Sequence, residues 1–164
     1  MKQTKLFILL LLIVSCKSTF PNEKKLNYTA GVKVGDDWKK KEAELGAPDK
    51  KGTGYASYFS KGFVVFTDNE GTTVTKLSFG WFRGGLHFTG EVYGIKISDT
   101  YPKVVRLWGE PAESGIATEE MYSKMWQFKK FGVVVDFWTT GGNDPDLGGK
   151  YEADTINRIQ ITLN

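Results

Sequence analysis

Two stretches of the chain have the spacing of a short helix with one apolar side. In the second stretch, apolar residues recur at i, i+3, i+4 and i+7: Tyr101, Val104, Val105 and Trp108. The corresponding positions of the first stretch are half charged: Trp38, Lys41, Glu42 and Leu45. The pattern therefore predicts two helices, of which the first is shallower or more exposed.

Both predicted helices are bounded by residues that suit helix ends. Asp36 and Asp99 are candidate N-caps, because a carboxylate accepts hydrogen bonds from the free backbone N–H groups of a first turn. Gly46 and Gly109 suit the position after the last turn, where glycine adopts a positive φ without strain. A proline two residues after each glycine prevents the helix from continuing.

Segments rich in β-branched and aromatic residues follow each helix and predict strands. They span residues 55–60, 63–67 and 74–79 after the first helix, and 121–128, 133–139 and 156–163 after the second. We expect an α+β fold with two tandem units, each a helix followed by a three- or four-stranded antiparallel meander. These units are predicted to form one continuous antiparallel sheet with the helices on one face.

The two units are also similar in sequence. Residues 31–48 align with residues 94–111 at a constant offset of 63, with six identities in 18 positions. Chance would give roughly one identity at ordinary residue frequencies. Residues 74–79 align with 156–161 at an offset of 82, so the second unit has longer loops. We predict a first repeat over 31–82, a linker over 83–93 and a second repeat over 94–164.

Each unit opens with a G-[VI]-K-[VI]-x-D element and continues to a G-x-P element. The tandem units resemble the β-lactamase-inhibitor-protein fold. A single unit is similar to the SmpA/OmlA family of outer-membrane lipoproteins. The resemblance covers residues 31–164 and implies a concave sheet face that binds protein. The chain has one Cys and so lacks the disulfides of the secreted inhibitors, and the resemblance therefore does not by itself carry their inhibitory function over to this chain.

The first 16 residues resemble a bacterial lipoprotein signal. Lys2 and Lys5 precede an apolar run over residues 6–14, which as a helix measures about 13 Å against a hydrocarbon core of about 30 Å. Ser15 and Cys16 end the run as in a lipobox. The resemblance implies a signal peptide over 1–15, lipid on Cys16 and a flexible tether over 16–30. A secretory signal with an incidental free thiol is the alternative.

This signal implies a location in the bacterial cell envelope. Lys17 follows the predicted lipidated residue, where the family associates Asp with retention in the inner membrane. We therefore expect a lipid anchor in the outer membrane, on its periplasmic side or at the surface. The membrane is then one expected partner, through the lipid on Cys16.

Charge and composition exclude several other functions. The chain has 22 basic and 19 acidic residues, and removal of the signal leaves a net charge of +1, so we expect no nucleic-acid partner. One Cys and one His make a metal centre or a His-based triad improbable, and we expect no cofactor, no metal and no enzyme activity. The loop 143–146 offers oxygen ligands without EF-hand spacing, and is interpreted as a polar loop.

Alternation along the strands sorts side chains to two faces of the predicted sheet. The side away from the apolar set holds Lys76, Ser78, Asp136, Trp138, Arg158 and Gln160. Tryptophan and arginine among adaptable polar neighbours are typical of protein-binding hot spots. The predicted partner-binding residues are Trp81, Trp126, Trp138, Lys76, Arg158 and Gln160. For Trp126 and Trp138, packing in the core or at a strand edge is the alternative.

These observations predict a non-catalytic protein-binding module of the envelope, of the assembly-accessory, inhibitor or immunity type. The partner would be an envelope protein that meets the open side of the sheet. The second hypothesis is a lipoprotein that binds a small ligand or a cell-wall glycan on its aromatic side chains. An enzyme is the third hypothesis, with His87 or a carboxylate in a deep pocket.

Overall fold

Eight strands and two short helices occupy the part of the chain that the computed structural model describes, residues 30–80, 87–116, 123–130, 132–140 and 155–164. The first half contains α1 (Trp38–Leu45), β1 (Lys50–Gly52), β2 (Tyr55–Tyr58), a 3-10 turn (Phe59–Lys61), β3 (Phe63–Thr67) and β4 (Val74–Gly80). The second half contains α2 (Tyr101–Trp108), β5 (Glu113–Ile116), β6 (Ser123–Lys130), β7 (Val133–Thr140) and β8 (Ile156–Leu163).

All eight strands belong to one antiparallel sheet in the order β1-β2-β3-β4-β8-β7-β6-β5. Each half of the chain contributes a four-stranded meander, and the two meanders meet where β4 pairs with β8. The edge strand β1 has only three residues, and two of them are Lys50 and Lys51. Short length and lysine side chains are features that discourage pairing with a further strand.

The predicted α+β repeat fold with helices covering one face is wrong, because the protein is mostly an antiparallel sheet with two short helices. Each helix has eight residues and is therefore about 12 Å long, whereas eight strands span about 34 Å. The helices bury only Trp38, Val104 and Trp108. Irregular segments supply much of the remaining core: Ala30, Val32, Phe88, Val92, Tyr93, Ile95 and Ile97.

Aromatic packing dominates the core on the inner face of the sheet. Trp108 of α2 meets Phe128 of β6 and Phe137 of β7 edge to face, each with ring centroids 5.5 Å apart. Phe79 of β4 packs on Phe88 at 4.7 Å. Phe88 lies in the segment predicted as a linker, so this segment contributes to the core. Such contacts stabilise beyond the burial of area alone.

The helix ends agree with the sequence in part. Gly46 and Gly109 follow the helices with φ of 79°, as predicted. The N-caps are Asp37 and Thr100, one residue beyond those predicted, and only Asp37 caps through its side chain. The predicted caps instead accept from backbone N–H groups three residues earlier: Lys33 to Asp36 at 2.7 Å and Lys96 to Asp99 at 2.6 Å.

The same hydrogen-bonded turn precedes both helices. The Gly35 N–H donates to the Val74 carbonyl, and the Ser98 N–H donates to the Ile156 carbonyl, each at 2.7 Å. Gly35 has a φ of 87° and Ser98 a φ of 80°. A serine therefore occupies a left-handed conformation that a glycine occupies in the first half, and a side chain there is strained.

Candidate binding face of the sheet

The face opposite the core carries the candidate site. We call it the open face, formed by the outward side chains of β3, β4, β8 and β7. The inward positions of these strands are core residues such as Phe63, Leu77, Phe137 and Ile159. Because neighbouring side chains in a strand point to opposite sides, the residues between them face outward. Most of these outward residues are half-buried: Phe66, Lys76, Val134, Asp136, Trp138, Arg158, Gln160 and Thr162.

A row of mostly polar side chains runs across the whole sheet and passes through the middle of the open face. Pairing places one residue of each strand in this row, in spatial order Lys50, Ser57, Val64, Ser78, Gln160, Asp136, Gln127 and Glu113. The Gln127 amide donates from Nε2 to Asp136 Oδ1 at 3.0 Å. Burial raises the pKa of the Asp136 carboxyl, and the Gln127 hydrogen bond acts in the opposite direction.

Two cation–aromatic pairs flank this row. Lys76 Nζ lies 4.2 Å from the centroid of the Phe66 ring, and the guanidinium carbon of Arg158 lies 5.3 Å from the centroid of the Trp138 ring. Each pair consists of directly opposite residues on adjacent strands. At exposed sites, such contacts contribute about 0.5–1 kcal/mol. They also hold a flexible cationic side chain close to an apolar ring.

The two pairs lie on opposite sides of the polar row. Lys76 is two residues before Ser78 in β4, whereas Arg158 pairs with Gly80, two residues after Ser78. At about 3.3 Å per residue along the strand, their Cα atoms are about 14 Å apart. The open face thus presents two cation–aromatic pairs, and the polar row lies between the two pairs.

The structure brings four of the predicted binding residues together on the open face: Lys76, Trp138, Arg158 and Gln160. Trp126 lies on the inner face, where it is 8% exposed and pairs with Phe137. Its ring stacks on Tyr101 of α2 with centroids 3.9 Å apart. Trp81, Cys16 and the loop 143–146 lie outside the described residues.

Phe66 and Gln127 are among the members of the site that sequence reasoning missed. The alternation of β3 carries the signal for Phe66, because Phe63 and Val65 face the core. Gln127 could have been found in the same way in β6, between Trp126 and Phe128. Pairing across strands, which depends on the register, brings these two residues to Lys76 and Asp136.

The chemistry available on the open face is that of contact: ring faces, two cations, amides, hydroxyls and one partly buried carboxylate. Within the described ranges, no group of three or more His, Cys, Asp and Glu side chains could hold a metal ion. No helix among the described residues is long and apolar enough to cross a membrane. Comparison of the chain with family models, with curated proteins and with solved structures found no match in any of the three.

Proposed function

We propose that this chain is a lipid-anchored protein of the bacterial envelope that binds another protein, without catalysis, through the open face. The observation that supports the proposal is the arrangement of the two cation–aromatic pairs around the polar row. Aromatic and arginine side chains amid re-pairable polar groups are typical of the residues that contribute most to binding.

The expected partner is a protein surface that presents two carboxylates and apolar side chains. The carboxylates meet Lys76 and Arg158, about 14 Å apart, and the apolar groups meet the exposed parts of Phe66 and Trp138. Between them, a donor from the partner meets Asp136, whose second oxygen has remaining acceptor capacity beside the Gln127 hydrogen bond.

Cross-linking in intact cells, followed by capture of the full-length tagged chain and mass spectrometry, tests this function. We expect one dominant envelope protein, with its yield reduced at least about fivefold in the double variant Lys76→Ala/Trp138→Ala. Lys40→Ala is the matched control, because Lys40 is an exposed cation of α1 remote from the open face. Its yield should equal that of the wild type.

Two results would contradict the proposal. Capture of the same protein in equal yield by the double variant would exclude the open face as the contact. Absence of a captured protein, together with fluorescence quenching of the full-length chain by cell-wall fragments, would favour the glycan-binding hypothesis instead. Amide spectra of the variants establish that each of them is folded before capture is compared.

A further inference from the structure

A small cavity lies near the outer end of the first half of the sheet. It lies between α1 and the chain turns near residues 52–55 and 67–71, and its volume is about 230 Å³. Its lining includes Trp38, Lys39, Glu42, Lys51, Gly54 and Tyr55. None of the lining residues belongs to the polar row or to the two cation–aromatic pairs. At about 30 Å³ for each water of the liquid, the volume corresponds to about eight waters.

Hydrogen-bonded turns form one wall of the cavity before any ligand binds. The Thr67 N–H donates to the Gly54 carbonyl at 2.9 Å, which joins the two turns. The Asp68 carboxylate accepts from the backbone N–H groups of Thr72, at 2.7 Å, and Thr73, at 3.1 Å. A wall held in this way requires little reorganisation on binding, which is typical of ligand sites.

Close packing of Tyr55 on the chain shapes the same wall. A Cβ atom added at Gly52 would lie 2.4 Å from Cε1 of the Tyr55 ring. The ring therefore lies against the backbone of Gly52, and only glycine permits this approach. Trp38 also lines the cavity, with the small part of its surface that is exposed, 4% of the residue. Together they offer an apolar lining to the body of a ligand.

Hydrogen-bond donors are in excess among the charged groups of the cavity. Lys51 of β1 forms an ion pair with Glu42 of α1. An ammonium group has three N–H donors, so Lys51 retains donors beyond the one that Glu42 accepts. Lys39 has no ion-pair partner among the residues that the structure describes. The charged side chains that line the cavity are two ammonium groups and one carboxylate, a net charge of +1 that a monoanion balances; the Asp68 carboxylate of the adjoining turn is not among the lining residues.

We propose that this cavity binds a small cyclic monocarboxylate, with its ring against Tyr55 and Trp38 and its carboxylate between Lys39 and Lys51. Phenylacetate, with ten non-hydrogen atoms, matches the volume. A ring that carries one carboxylate occurs both in aromatic acids and in sugar acids. Phenylacetate is the probe for the aromatic acids, and glucuronate is the probe for the sugar acids. The ligand carboxylate accepts hydrogen bonds from ammonium N–H groups that Glu42 does not accept, and the ligand ring covers the apolar lining.

Titration of the ¹⁵N-labelled full-length chain in detergent, followed by amide and indole NMR signals, tests the site. Phenylacetate should shift the Trp38 indole and the amides of Gly52, Gly54 and Gly71, with saturation. We expect phenylacetate to bind about fivefold more tightly than 2-phenylacetamide, and phenethylamine to bind more weakly still. One partly exposed ion pair contributes up to about 1 kcal/mol, which is about fivefold in affinity.

Two variants and one control complete the test. Lys39→Met and Lys51→Met should each remove the preference for the acid over the amide, whereas Lys40→Met, an exposed neighbour on α1, should retain it. Equal affinity for acid and amide, shifts confined to other residues, or no saturable shift with either acid would overturn the proposal. Lys39 is exposed, so its variant keeps the test valid if Lys51→Met disturbs the fold.

Discussion

Ser78 and Gln160 are direct partners across the central strand pair β4–β8, and they also occupy the same position in the two aligned strand segments, 82 residues apart. Their neighbours pair crosswise, since Leu77 pairs with Ile161, the aligned counterpart of Phe79, and Phe79 pairs with Ile159, the aligned counterpart of Leu77. An approximate two-fold axis therefore passes through the sheet between Ser78 and Gln160. It relates Lys76 to Arg158, so the open face presents its cations in symmetric places.

The two tryptophans of the second half should respond differently to truncation. Trp126→Ala removes a buried ring stacked on Tyr101 and should lower the free energy of unfolding by about 3–5 kcal/mol. Trp138 is half-exposed on the open face, and Trp138→Ala should cost only about 1 kcal/mol. Denaturant unfolding of both variants measures the difference. Equal losses would show that Trp138 also serves the core.

Replacement of Ser98 should stabilise the protein. Ser98→Gly removes the strain of a side chain at a φ of 80°. The stability gained in this way exceeds the stability lost because glycine adds conformational entropy to the unfolded chain. We expect the free energy of unfolding to rise by up to about 1 kcal/mol. The matched control is Ser114→Gly in the extended edge strand β5, which should lower it by about 0.5 kcal/mol. A lower free energy of unfolding in Ser98→Gly than in the wild type would show that Ser98 is not strained.

Asp136 should make the free energy of unfolding depend on pH. Because burial raises the pKa of this carboxyl above the usual 3.8, the folded protein holds the proton at a higher pH than the unfolded chain. The ionised form therefore lowers stability at neutral pH, and this cost disappears as the pH falls through the raised pKa. Asp136→Asn should be more stable than the wild type at pH 7, with the difference shrinking toward acid pH.

Asp68 provides a control of opposite sign. Hydrogen bonds from Thr72 and Thr73 lower the pKa of its carboxyl, so its stabilisation is present above the unfolded pKa and is lost as the pH falls through the folded one. Asp68→Asn should therefore be less stable than the wild type at neutral pH and should approach it in acid. Urea unfolding between pH 3 and pH 7 compares the two variants. The same sign of change in both would contradict the burial of Asp136.

The proposed lipid anchor requires the sulfur of Cys16. Cys16→Ala removes the atom that would form the proposed thioether, so we expect no incorporation of labelled palmitate and accumulation of the uncleaved chain. Two or more acyl chains hold a protein firmly at a membrane, so their loss should weaken the attachment that depends on lipid. Lys17→Ala, at the next residue, should be labelled and processed like the wild type. Equal processing and labelling of both variants would exclude lipidation at Cys16.

Short-range patterns predicted the individual elements of the fold well. The predicted strands 63–67, 74–79, 133–139 and 156–163 agree with β3, β4, β7 and β8 within one residue at each end. The predicted apolar face of the second helix is confirmed in part, because Val104 and Trp108 are buried. These features depend on side-chain periodicity and on turn residues, which are local properties of the chain. The edge strands β1 and β5 were missed, since neither has an alternating pattern of useful length.

The sequence by itself therefore determined where strands and helices form and which side of a central strand is apolar. Only the tertiary structure decided that the two meanders join through β4 and β8, that irregular segments rather than helices supply much of the core, and that Trp126 faces inward. The physical reason is that pairing and covering depend on contacts between residues far apart in the chain. A one-residue change of register would move every side chain of a strand to the opposite face of the sheet, and local sequence patterns do not determine the register.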